Sequence, residues 1–159
     1  MREPSDVVLV EHDDWEAVAG LVDEVWSAGT AEWVNVIPDL GDDVDTPPSL
    51  VRIFSSRGPA VPVVTLVAPD RRGRKPRPGS VGIEHGAGDR VSARLGEAGL
   101  TRPGGWVLRQ DHPKRGLVFE VSDEVPGAAA LAHGVAVARW LSPSPPRGRW
   151  LVALHRRPG

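Results

Sequence analysis

The chain has 159 residues and no cysteine, with 19 basic against 21 acidic side chains and a formal net charge of −2. That length supports one domain, residues 1–159, burying roughly 70% of the surface its unfolded form exposes. Without cysteine there is no disulfide framework, thiolate nucleophile, Fe–S cluster or cysteine-ligated zinc site.

The near-neutral total conceals a split. Residues 1–50 carry 13 acidic groups against Arg2 alone, while residues 51–159 carry 18 basic against 8 acidic. Such asymmetry points to a polyanionic partner or to neutralisation between two parts of the fold. Seventeen of the basic residues are Arg, and Ala, Gly, Pro, Val and Asp abound. A GC-rich bacterial genome imposes that usage, so Arg richness is not itself read as function. The apolar run Val7–Val10 is too short for a signal-peptide core, and no run approaches the ~20 apolar residues of a membrane span. A soluble protein of the bacterial cytoplasm is the expectation.

In chain order, residues 13–28 predict an amphipathic helix. Trp15, Val18, Leu21, Val22, Val25 and Trp26 lie on or beside one face, with Asp13 as cap and Gly29 at the end. A strand over Trp33–Ile37 precedes an acidic loop through Asp39, Asp42, Asp43 and Asp45. A second helix opens at Thr46-Pro47-Pro48 and closes before Gly58. Val61–Ala68 is β-branched and apolar on both faces, as an inner strand is. A loop over 69–80 leads to strand 81–85, helix 89–98, strands 106–110 and 117–121, helix 126–141 and strand 150–154. That β-α-β-β-α-β order is the split βαβ arrangement of ferredoxin-like domains. The expected fold is α+β: a two-layer antiparallel sheet with a ferredoxin-like βαββαβ core over about residues 80–156. Residues 1–68 extend it with helix and strand. Strand parity puts Val81, Ile83 and His85 on one face, and sets Trp106, Leu108 and Gln110 against Arg109 and Asp111.

Several segments carry candidate chemistry. Arg71-Arg72-Gly73-Arg74-Lys75-Pro76-Arg77 holds five positive charges in seven residues. Such a run can neutralise phosphates and release counterions. No aromatic side chain interleaves it to stack a base, so a solvated loop, or docking on the chain's own acidic stretch, competes with nucleic acid. Gly86-Ala87-Gly88 ahead of a helix suits an anion at the helix start. However, Val91 stands where the dinucleotide fingerprint needs its third glycine, and Asp89 occupies the cap position. Asp111-His112-Pro113-Lys114-Arg115-Gly116 reads as a hairpin turn or as a histidine base oriented by a carboxylate. His85 is either a core histidine bonded to a partner such as Gln110 or an acid/base. His12, His133 and His155 read as surface or helix-end residues, and Trp106, Trp140 and Trp150 as anchors where sheet meets helix. Ser55-Ser56 lacks the nucleophile elbow of a serine hydrolase. Glu84-His85 and Asp111-His112 each split across the sheet, so no metal site is expected.

The expected topology gathers some of these residues. His85, Gly86, Gly88, His112, Lys114, Arg115, Arg147 and Arg149 come to one end of the sheet as an anion-binding rim. Arg71, Arg72, Arg74, Lys75 and Arg77 fall at the other end. The favoured reading is a non-catalytic binding or regulatory domain for an anionic small molecule or a protein partner, a homodimer included. The alternative is a small metal-independent enzyme with His85 or His112 as acid/base. A nucleic-acid-binding accessory protein is third. No cofactor is expected.

Overall fold

Alternating burial along seven short segments builds one antiparallel sheet. The computed structural model describes residues 4–40 and 59–156. Its strands are β1 (Asp6–Val10), β2 (Trp33–Pro38), β3 (Val63–Val67), β4 (Gly79–Glu84), β5 (Trp106–His112), β6 (Gly116–Val121) and β7 (Trp150–His155). They lie in the order β1-β7-β2-β3-β4-β6-β5. Helices α1 (Glu16–Ala28), α2 (Val91–Glu97) and α3 (Gly127–Leu141) cover one face. The register carries the core in rows. Val8, Val152, Val36, Val64, Ile83 and Leu117 are successive neighbours across six strands. Val8 apart, these side chains are buried, and each burial contributes roughly 1.5–3 kcal/mol over exposure.

Glycines let the helices approach. A Cβ on Gly134 of α3 would stand 2.8 Å from Val64 Cγ1, and one on Gly127 would stand 2.9 Å from Trp26 Cβ. Trp26 of α1 also reaches the sheet, where a Cβ on Gly79 would meet its ring at 2.5 Å. The Trp26 indole is thus seated against two glycines, one on α3 and one on β4.

The ferredoxin-like core expected over residues 80–156 does not form. It would set β7 beside β4, yet β2 and β3 stand between them, and β7 pairs with β1 and β2. The segment expected as an extension supplies three of the seven strands, two of them in the middle of the sheet. Alternation specifies which face of a strand is buried, not which strand lies beside it. The α+β character remains, as a single seven-stranded sheet with its helices on one side.

Local expectations shift as well. Most of β1 is the run Val7–Val10, too short for a leader but long enough for a strand. Asp13 does not cap α1: Trp15 holds that position without a side-chain cap bond. The Asp13 carboxylate instead pairs with Arg139 and accepts the Trp150 Nε1–H at 3.1 Å. Asp42, Asp43 and Asp45, the helix expected between Thr46 and Gly58, and Ser55-Ser56 lie outside the described residues. Among the described residues no helix is long and apolar enough to cross a membrane.

Candidate functional site

Antiparallel pairing of β4 with β6, and of β6 with β5, brings the end of β4, the 86–88 turn and the 112–115 hairpin to one corner. Gly116 makes the contact close. Its φ is +82°, and a Cβ there would lie 2.2 Å from the Ile83 carbonyl oxygen. His85 is 0% exposed. Its Nδ1 accepts the Ala87 N–H at 3.2 Å, which fastens the turn, while Nε2 is buried without a partner among the described residues. Burial holds this imidazole below the ordinary histidine pKa; Asp111 opposes that shift and Arg94 adds to it.

A β-bulge decides what surrounds it. The β5–β6 register shifts between Leu108 and Gln110, so Arg109 is the extra residue and the expected parity reverses beyond it. Gln110 then lies opposite Val118 on the face away from the helices, and is not the partner of His85. Its Nε2 donates to the Arg115 and Gly116 carbonyls at 3.1 and 3.3 Å, closing the hairpin. Asp111 turns to the helix side, where its oxygens accept the Val91 and Ser92 N–H groups at 3.3 and 2.9 Å. It caps α2 from a neighbouring strand, the task expected of Asp89. Arg94 of α2 donates to the Ala87 carbonyl at 2.7 Å. His112 Nδ1 accepts the N–H groups of Lys114 and Arg115 at 3.0 and 3.1 Å. These bonds hold a corner together, and they commit one ring nitrogen of each histidine to a turn.

Arg147 and Arg149 do not join this corner. They precede β7, three strand spacings from β4, roughly 14 Å at ~4.8 Å per strand. Arg149 lies 3.8 Å from Glu11 and 3.9 Å from Asp39. The basic loop turns at the opposite end of the sheet. There Arg71 Nη1 donates to the Trp26 and Ser27 carbonyls at 3.4 Å each, satisfying the C-terminus of α1. Asp70 exchanges two backbone bonds with Arg77 and accepts the Arg72 N–H. Arg72, Arg74, Lys75 and Arg77 are exposed. No group of three His, Asp or Glu side chains among the described residues is placed to hold a metal.

What the sequence reading missed lies on the other face, which no described helix covers. Its middle is polar. Thr65 Oγ1 donates to Asn35 Oδ1 at 3.2 Å, and Asn35 Nδ2 lies 3.4 Å from His155 Nε2. The buried His155 ring stacks on Trp33 with centroids 4.8 Å apart, so it is no surface residue. His133 is partly buried edge-on to Trp106, and Trp140, 39% exposed, carries the Arg94 guanidinium rather than anchoring helix to sheet.

Towards β1 this face turns apolar. Val7, Leu9 and Leu151 are 57%, 50% and 42% exposed. Leu9 and Leu151 are register partners, with Ile37 next in the row. The Glu11–Arg149–Asp39 cluster bounds the patch at one end. A signal was present in the sequence: Val7–Val10 and Leu151–Leu154 are apolar at both parities, as strands covered on both faces are. No protein-family model, curated protein or solved structure matches the chain.

Proposed function

We propose that the protein is a non-catalytic binding domain that works by contact across its open sheet face, and that the partner there is a second copy of the chain. One observation carries this reading: Leu9 and Leu151, cross-strand partners, stand about half exposed on a face without a described helix. Val7, Ala153 and Ile37 extend the patch along β1, β7 and β2. A sheet is stable when its apolar surface is buried against a further layer, and contiguous exposed aliphatic patches mark interaction sites. Two copies packed face to face supply that layer, because one patch meets itself about a two-fold axis. The Glu11–Arg149–Asp39 cluster provides a polar rim with both signs of charge, the anatomy of a protein interface.

Two placements weigh against the other readings. His85 is wholly buried and His112 Nδ1 is taken up by its turn, so neither is presented as an acid/base. The cations of the anion-binding rim are divided between two places. Light scattering on the purified chain tests the proposal. The wild type should show twice 17.0 kDa, and Leu9→Lys should show the single-chain mass with unchanged circular dichroism. A wild-type single-chain mass at ~100 µM, where a dimer of ~10 µM dissociation constant is well populated, removes it.

A further inference from the structure

The helices on the opposite side of the sheet touch at both ends of their contact and part in the middle. At one end Trp26 of α1 seats against Gly127 of α3. At the other, Trp15 packs edge-on to Trp150, ring centroids 5.3 Å apart. Between these two indoles the facing residues are Ala19 on α1 and Ala128, Ala132 and Ala136 on α3, and a cleft of about 310 Å³ remains. Methyl groups do not fill the space that two tryptophans hold open. From Ala128 to Ala136 the cleft follows α3 for roughly 12 Å, and its volume falls within the range of small-molecule pockets.

The lining is chemically one-sided. Its only polar side chains are Arg139 and Trp15, and both can donate hydrogen bonds but not accept them. Trp15 Nε1 is buried without an acceptor among the described residues. Asp13 and the Trp150 ring, 5.6 Å from the guanidinium, fix Arg139 at that end. We propose that the cleft binds an acyl chain, its unbranched apolar tail lying along the alanines and its carboxylate or carbonyl oxygen received by Arg139 and Trp15. The site lies across the sheet from the patch of Leu9 and Leu151, and stands whether or not that patch takes a second copy.

Octanoate, octanamide and octylammonium share a tail and differ in the head, so titrating each into the ¹⁵N-labelled full chain tests the idea. Octanoate and octanamide should give saturable amide shifts confined to Trp15–Ala19 and Ala128–Arg139. Octylammonium, whose head only donates, should bind about tenfold more weakly or worse. Ala132→Phe fills the cleft from an exposed position and should abolish binding; if that variant does not fold, Ala136→Leu serves the same purpose. Shifts that fail to saturate by millimolar ligand, that map elsewhere, that survive the filling variant, or that octylammonium matches would each overturn the proposal. So would cleft shifts on diluting the ligand-free protein, which would identify a second copy as the occupant.

Discussion

The two faces of this sheet are built from the same strands and obey different rules. On the helix-covered face each row is filled to contact, and glycines at 79, 127 and 134 are matched to the side chains opposite them. On the open face the middle is a polar line from Thr65 to His155, and the β1 end is aliphatic and wet. Apolar residues on both parities of β7 therefore do not mean two equally packed surfaces. What separates the faces is tolerance: a volume change is felt where neighbours are fixed on every side and absorbed where one side is solvent.

Substitutions from the two faces should break or sharpen that contrast. The largest effect is expected at Phe119, buried among Trp106 and His133, where Phe119→Ala should cost ~3–5 kcal/mol in urea unfolding. Gly79→Ala is smaller, about 1–3 kcal/mol, because a methyl would press on the Trp26 ring. Asp111→Ala removes the carboxylate from the start of α2 and should cost ~0.5–2 kcal/mol, read as faster amide exchange at Val91 and Ser92. Leu151→Ala, on the open face, should change the stability of a single chain by no more than about 0.5 kcal/mol. If it costs as much as Phe119→Ala, the two faces do not differ as described.

Acidity gives a further test of the covered face. His85 and His133 are both held below the ordinary value of 6.5 by burial. Above that pH the imidazoles are neutral in folded and unfolded chains, and the fold keeps its full stability. As pH falls below 6.5 the unfolded chain takes up protons first, so stability falls until the folded-state pKa values are passed. His85→Gln should flatten that slope in part, leaving the share of His133. Asp111 draws the His85 pKa upward while Arg94 draws it down, so Asp111→Asn should steepen the loss. A stability profile flat between pH 7 and 5 would contradict the burial of both rings.

Much of the covered face was legible in the sequence. The helices beginning near residues 13, 89 and 126 and the strands from Trp33 onward sit close to where periodicity places them, because each presents one consistent apolar side. Three things were not legible, each for a physical reason. Neighbour order escaped, since β2 and β3 carry the same aliphatic alternation as β4 and β7 and nothing local ranks their pairing. The Arg109 bulge escaped because one extra residue leaves no compositional mark, yet it turns Asp111 to the helices and Gln110 away. His155 escaped because its burial depends on Trp33, which lies 122 positions earlier and reaches it only through the β2–β7 pairing. The cations expected to share a rim are divided for the first reason. The opening charge split finds partial local use, with Asp13 on Arg139, Glu11 and Asp39 near Arg149, and Asp6 near Arg156.

The claim that the open face receives a second copy is tested most directly by isotope-filtered NOE spectroscopy on a mixture of labelled and unlabelled chains. Intermolecular NOEs are expected from the methyl groups of Leu9 and Leu151 to those of Val7, Leu9, Ile37 and Leu151 in the other copy, vanishing in Leu9→Lys. A sample that is dimeric by mass but shows its intermolecular NOEs only at other residues, or a concentrated sample that shows none, would contradict it.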